Sequence, residues 1–271
     1  MPPPHPIGDT PATSREAILP HRVPLDWVRL LDWLATRAVP GLELVEGGIY
    51  RRVMGDGGLV EITAAADGLL VHGTVEPAAV RRVFDLDHDP AALADALAAD
   101  PVLGPRLARA PGIRVPGTWS GFEIAVRAVL GQQVSVAGAR TTAAKLVRAL
   151  GAPATVAAPG LTHRFPTPEA VADGALPGMP RTRERALRAL AEAVAGGLRL
   201  DPPVDRAAAR TALLALPGVG PWTADYVAMR ALRDPDAWPG GDLWLRRAVA
   251  DTDPDAWRPW RAYAAMLFWQ T

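Results

Sequence analysis

The 271-residue sequence predicts an α+β fold in which a small antiparallel sheet precedes a region built almost wholly of helices. Three observations carry that prediction. Short apolar runs around Leu42–Val53, Leu59–Ala64 and Leu69–Val75 are separated by Gly57-Gly58 and Asp67-Gly68, dipeptides that favour hairpin turns. Beyond about residue 106 such runs give way to apolar residues at helical spacing, punctuated by Gly and Pro. Hydrophobic residues make up 49 % of the chain and charged residues 21 %, enough for a packed core and too apolar for wholesale disorder.

Taken in order, residues 1–20 hold six prolines and no apolar periodicity, so they predict a flexible tail. Residues 21–105 form the α+β unit, opened by a helix on which Val28, Leu31 and Leu34 recur at helical spacing. Residues 106–271 form the helical region. There Ser120-Gly-Phe-Glu123 has the pattern of a capping box, followed by Ile124, Val126, Val129 and Leu130. Gly131-Gln132-Gln133 ends that helix, and Ser135 is placed to cap the next one, which runs to Gly151. The Gly- and Pro-rich stretch 151–180 predicts a long connection. Helices follow over Thr182–Ala195 and from an Asp205 cap to Leu214.

Composition excludes several classes of function. The chain has no cysteine, so disulfides, thiolate zinc sites, iron–sulfur clusters and cysteine nucleophiles are all ruled out. The five histidines have no close ligand spacing, so no catalytic metal is implied. No apolar run approaches the roughly 18 residues that a membrane span needs, and the opening Met-Pro-Pro-Pro lacks the pattern of a signal peptide. A soluble, cytoplasmic protein is the expectation. The formal net charge of zero hides a segregation: residues 1–105 carry 8 basic and 15 acidic groups, residues 106–271 carry 21 and 14. Either the C-terminal part faces a polyanion or the split is incidental. Lys145 is the only lysine.

The most informative segment is Leu216-Pro-Gly-Val-Gly-Pro-Trp-Thr-Ala-Asp-Tyr226. A helix ends, a Pro-Gly-x-Gly turn follows, and Pro221 suits the first turn of another helix. Glycines there let backbone N–H groups approach a ligand, and with the new helix N-terminus they make a phosphate site. The same turn would also serve as a plain connector between packed helices.

With Leu25-Asp-Trp27, Gly121-Phe-Glu, Leu130-Gly-Gln-Gln-Val-Ser135, the hairpin segment, Asp242 and Trp257-Arg-Pro-Trp-Arg-Ala-Tyr263, the chain from about Leu25 onward resembles the helix-hairpin-helix–GPD superfamily of DNA glycosylases, and within it the bacterial 3-methyladenine DNA glycosylase II family. The resemblance implies a TATA-binding-protein-like N-terminal sheet and two helical subdomains around a DNA-facing cleft. It also implies a monomer that acts on double-stranded DNA with alkylated bases, in the bacterial cytoplasm and without a membrane.

The chemistry implied is base flipping followed by hydrolysis of the N-glycosidic bond. Extruding a base costs a few kcal/mol. An N-alkylated purine such as 3-methyladenine or 7-methylguanine is cationic, and each well-placed aromatic ring attracts it by roughly 0.5–2 kcal/mol. Of nine tryptophans, six lie between residues 222 and 269. By resemblance, Trp33, Trp222, Tyr226 and Trp269 match the base pocket, whereas Trp238, Trp244 and Trp257 read as core. Asp242 matches the catalytic aspartate. It also suits the N-cap of the helix holding Leu243, Leu245 and Val249, and the two roles are compatible.

Superfamily members that also cut the strand carry a lysine where this chain has Trp222, which implies a monofunctional enzyme. The amides of Gly218, Gly220 and Thr223 match the phosphate contacts. The carbonyls of Leu214, Leu216 and Val219 match a structural monovalent cation site (Na or K), with no cofactor for catalysis. Gln133 stands where a related enzyme inserts a leucine into the gap left by the flipped base, so it is either a polar wedge or an ordinary loop residue. Two other functions stay open from the residues: a non-catalytic module that binds damaged DNA, and a glycosylase for another lesion such as hypoxanthine, uracil or an oxidised purine.

Overall fold

The computed structural model describes residues 16–249 and 252–271. Strand β1 (Glu16–Leu19) and helix α1 (Trp27–Arg37) precede β2 (Glu43–Glu46), β3 (Ile49–Val53), β4 (Leu59–Ala65) and β5 (Gly68–His72). The five strands form one antiparallel sheet in the order β1-β5-β4-β3-β2. The two predicted hairpins are present: Val53 pairs with Leu59 across Gly57-Gly58, and Ala65 pairs with Gly68 across the next turn. The run Leu42–Val53 is two strands rather than one. Gly47 and Gly48 both take positive φ (61° and 79°), the conformation a tight hairpin turn demands, and reverse the chain between β2 and β3.

The expected tail needs a correction at its C-terminal end. Glu16–Leu19 is an edge strand, with Ala17 opposite Val71 and Ile18 opposite Leu70. Its pairing comes from β5, more than 50 residues away, which no local pattern reveals. Residues 1–15 of that tail lie outside the described residues.

Helix α2 (Pro77–Phe84) packs with α1 on the sheet. Leu30 and Leu31, Val80, Val83 and Phe84, and the inward-facing Val60, Ile62, Leu69 and Val71 form one core. A second, larger core gathers the helices that follow. These are α3 (Pro90–Leu97), α4 (Gly104–Arg109), α5 (Gly121–Gly131), α6 (Val136–Leu150), α7 (Pro168–Asp173), α8 (Arg181–Ala195), α9 (Arg206–Leu214), α10 (Pro221–Arg230), α11 (Leu243–Ala248) and α12 (Arg261–Gln270). Leu93, Leu97 and Leu103 join this second core together with Leu107, although the first three fall within the span 21–105 expected for the α+β unit. At its centre lies α5, where Phe122, Ile124, Ala125, Val126, Ala128, Val129 and Leu130 are all buried.

Caps set several helix starts. The Ser135 hydroxyl accepts from Gly138 N–H at 3.1 Å, and Asp205 accepts from Ala208 N–H at 3.0 Å, both as predicted. The capping box at Ser120 is only half formed. Its hydroxyl accepts from Glu123 N–H at 3.4 Å, but the Glu123 carboxylate turns inward to Arg52 and Arg127 instead of reaching back.

The connection 151–180 also needs correction. It contains the hairpin β6 (Pro153–Ala158) and β7 (Leu161–His163), and then α7. That hairpin has few strong strand formers. It is held by long-range bonds to two loops of the first sheet: Thr155 N–H donates to Gly57 O at 3.0 Å and Thr162 N–H to Gly41 O at 2.7 Å. No helix among the described residues is long and apolar enough to cross a membrane.

Candidate active site

Helices α1 and α12 meet at one cavity. Asp26 caps α1 by accepting from Arg29 N–H at 3.0 Å, and Arg29 in turn donates to the carbonyl of Gln270, at the end of α12, at 2.6 Å. That tie brings Trp33 of α1 against Trp269 of α12, the rings stacked 5.6 Å apart at 25°. On α10, Trp222 and Tyr226 are one turn apart and stack at 5.4 Å and 18°. Tyr226 and Trp269 bring the two pairs together at 6.3 Å. The cavity that these four rings line measures about 330 Å³, within the size range of small-molecule sites. Asp242 and Trp244 line it too. The four residues expected in a base pocket and the expected catalytic aspartate are therefore brought to one place.

Asp242 is set by the loop before it. A Cβ on Gly241 would lie 2.9 Å from the Trp222 Cβ, so only glycine lets the chain pass this close to the aromatic wall. The Asp242 carboxylate then caps α11, one oxygen accepting from Trp244 N–H at 2.9 Å and Leu245 N–H at 3.0 Å. Its second oxygen accepts from no protein donor among the described residues and remains available to the cavity. Capping and facing the cavity are thus compatible, as the sequence implied.

The wall behind the rings is charged. The Arg37 guanidinium carbon lies 3.2 Å from the centre of the Trp33 ring, and that of Arg230 lies 5.5 Å from the centre of Tyr226. Arg230 also donates to the Tyr226 hydroxyl at 2.7 Å. Neither arginine has a carboxylate partner among the described residues. Burial, reinforced by the neighbouring guanidiniums Arg230 and Arg127, lowers Arg37 to about 10, so it stays charged at neutral pH. Burial alone would raise the Tyr226 phenol, but Arg230, Arg37 and Arg127 outweigh it and hold it below its ordinary value.

Deeper still, Glu43 and Glu123 neutralise Arg52 and Arg127 in a buried four-charge cluster joining β2, β3 and α5. Burial opposes the ionised Glu43, yet Arg127 and Arg52 prevail and hold its carboxyl low. Arg127 also donates to the Arg37 carbonyl, tying this cluster to the pocket wall. Sequence reasoning missed this assembly because its members are spread over 85 residues and no spacing connects them.

The hairpin stands beside the cavity. Among the described residues, the N–H groups of Gly218, Gly220 and Thr223 donate to no protein acceptor, as a phosphate-binding turn requires. Gly218 takes φ +78°, and a Cβ there would meet the Ala186 Cβ at 2.8 Å, whereas a Cβ on Gly220 would meet nothing. Gly218 is thus fixed by packing on α8, and Gly220 faces open space.

Gln132, which the sequence reading passed over, braces this turn. Its side-chain amide donates to Gly218 O and to the Thr223 hydroxyl, both at 2.9 Å, while Arg183 holds its own carbonyl at 2.8 Å. Gln133 projects from the same loop, exposed and at φ +57°, a left-handed conformation that a non-glycine residue adopts at a cost. Trp257 is core, as expected, and Trp238 is half-buried and packs against it. Trp244 is not core: half of its surface is exposed at the cavity mouth.

Residues 16–120 match the family model described as the AlkA N-terminal domain. Over 280 residues the chain is 33 % identical to "DNA-3-methyladenine glycosylase 2" of Escherichia coli, covering 92 % of this chain and 94 % of that protein. The chain belongs to the DNA-3-methyladenine glycosylase 2 (AlkA) family. It is also 43 % identical over 279 residues to a Mycobacterium tuberculosis protein named "Probable bifunctional transcriptional activator/DNA repair enzyme AlkA", covering 93 % of this chain. The match spans only 56 % of that longer relative. Among solved structures, the 3-methyladenine DNA glycosylase of Archaeoglobus fulgidus superposes with a TM-score of 0.77 at 22 % identity, covering 94 % of this chain and 96 % of that one. The fold shared with that structure runs from the N-terminal sheet to the helices that carry the hairpin.

Proposed function

We propose that this chain is a monofunctional DNA glycosylase that extrudes alkylated, cationic purines such as 3-methyladenine and 7-methylguanine from double-stranded DNA and hydrolyses their N-glycosidic bond. The observation that carries the reading is the convergence of Trp33, Trp222, Tyr226, Trp269 and Asp242 on one cavity beside a hairpin whose amides are free. The amides of Gly218, Gly220 and Thr223 hold a backbone phosphate, and Gln133 enters the gap that the extruded base leaves. The rings receive the base. As the C1′–N bond breaks, its electron pair goes to the base nitrogen, so a cationic base leaves neutral and the sugar takes up the positive charge. The Asp242 carboxylate stabilises that charge and orients a water, whose oxygen bonds to C1′ and whose proton passes through the carboxylate to solvent. An abasic site remains. Trp222, standing where a lyase would hold an amine, supports hydrolysis without strand cleavage.

A monovalent cation, Na or K, fits the hairpin. Among the described residues the carbonyls of Leu214 and Val219 accept no N–H, and that of Leu216 accepts only Val219 N–H at 3.2 Å. When bound, the ion would add positive charge beside the phosphate.

A second reading, release of a neutral deaminated or oxidised purine, is favoured by the guanidiniums of Arg37 and Arg230 at the pocket wall, which have no carboxylate partner among the described residues. The test is base release from methylated duplex DNA in EDTA, with chromatography of the freed bases and inspection for strand breaks before and after alkali. Free methylpurine with breaks only after alkali supports the proposal. Binding without release points to a non-catalytic module, and release only from hypoxanthine- or oxopurine-containing DNA supports the second reading.

A further inference from the structure

Trp244 has a place that neither core packing nor the base pocket explains. It is 50 % exposed, yet it is fixed: its backbone N–H donates to Asp242, and its ring meets buried Phe268 edge-to-face at 6.4 Å and 67°. Of the five rings lining the cavity, Trp33 is stacked on Trp269 and Trp222 on Tyr226. Guanidiniums lie over Trp33 and Tyr226. Among the described residues, Trp244 alone has neither a stacked ring nor a cation over its face. The cavity lining also includes the exposed Val134 and Val136, at 42 % and 45 %, with Arg140 beside them, and Leu243, next to Trp244 on α11, is 68 % exposed. An electron-rich ring with an open face, anchored two residues from the carboxylate, is suited to receive positive charge.

We propose that Trp244 is a second catalytic residue of the glycosylase reaction, its ring covering the sugar of the extruded nucleotide and stabilising the charge that develops there. The inference rests on the glycosylase reading above. Division of labour follows: the two stacked pairs hold the base, and Asp242 with Trp244 flanks the sugar. The bond that breaks and the water that adds are those already given, with no further reactant.

The test compares duplexes carrying a pyrrolidine abasic analogue, cationic like the sugar in the transition state, with duplexes carrying the neutral tetrahydrofuran analogue. Wild type should prefer the cation. Trp244→Ala should weaken pyrrolidine binding by roughly 2- to 30-fold more than tetrahydrofuran binding, the range of a single cation–ring contact, and slow single-turnover base release by a similar factor. Trp244→Phe should restore most of the preference, whereas Trp244→Leu, which keeps apolar bulk without a ring, should not. Thermal unfolding of each variant checks folding. Equal weakening of both analogues, or a Leu variant as selective as Phe, overturns the proposal. A wild-type protein that treats the two analogues alike and releases no base would instead overturn the glycosylase reading.

Discussion

Asp242→Asn separates the cap that this side chain forms from the charge that the proposed reaction asks of it. Asparagine keeps an oxygen for the N–H groups of Trp244 and Leu245, and it caps helices as well as aspartate does, so α11 should survive. What disappears is the negative charge that the proposal sets beside the sugar. At a separation of about 4 Å and an effective dielectric constant of about 20, that charge stabilises a developing cation by about 4 kcal/mol. Removing one such preorganised group costs about 10²–10³ in rate. The expected result is therefore a 100- to 1,000-fold slower single-turnover release of methylpurine, with nearly unchanged DNA binding and melting temperature. Asp242→Ala should be as slow but should also lose the cap, about 1 kcal/mol, visible as a fall of about 2–4 °C. An Asn variant within about tenfold of wild type would refute the catalytic assignment. So would Asn and Ala variants whose rates simply follow their melting temperatures.

The hairpin glycines should respond oppositely. Gly220→Val, whose side chain enters open space, should weaken binding to every DNA sequence alike without lowering stability, while Gly218→Ala should lower the melting temperature because its Cβ collides with Ala186; a sequence-selective loss in the first would contradict a phosphate contact. Arg37→Met should slow base release while tightening ground-state binding of a cationic lesion, so that kcat and KM fall together; a rise in kcat would contradict this. His88, stacked 4.1 Å from Tyr263, is lowered to about 4 by burial, Arg114 and Arg233 adding to it and Asp85 and Asp89 opposing. The unfolded chain takes up that proton near 6.5 and the folded one only near 4, so stability should fall by up to about 3 kcal/mol as pH drops across that window. Denaturant melts of His88→Phe should show that slope removed.

What could be read from the sequence was whatever is encoded locally. Ser135, Asp205 and Asp242 each precede a helical pattern and each caps one, and Gly57-Gly58 and Asp67-Gly68 each turn a hairpin. Residues whose structure is decided far along the chain gave no such signal. Glu16–Leu19 becomes a strand only because β5 offers it an edge, and the 153–163 hairpin is stitched to Gly41 and Gly57. Glu123 fits a capping box by spacing, but a buried ion pair with Arg52 outweighs a solvent-facing hydrogen bond to its own helix end. Within the site, Trp33 and Trp269 were placed by resemblance and could not have been paired by spacing, since more than 230 residues separate them. Trp244 was misjudged because an aromatic residue two positions into a helix is usually core. Its exposure follows from the short α11, which turns that face toward the cavity mouth.

Positive groups behind a pocket proposed for cationic bases look contradictory until charge is followed through the reaction. In the proposed reaction the alkylated base carries the positive charge before cleavage, facing Arg37 and Arg230, neither of which has a carboxylate partner among the described residues. At the transition state of the proposed reaction that charge has left the base for the sugar, which this reading sets toward Asp242 and the open face of Trp244. A field that is positive on the base side and negative on the sugar side therefore disfavours the bound ground state and favours the transition state, and only such a difference raises the rate of the chemical step. The aromatic faces offset part of the repulsion, so the base still binds. A neutral base gains from the same field, because it leaves with negative charge toward the arginines, but it lacks the initial repulsion. The two lesion classes should thus differ in KM more than in their dependence of kcat on Arg37, and comparing Arg37→Met on methylated and on hypoxanthine-containing DNA measures that difference directly.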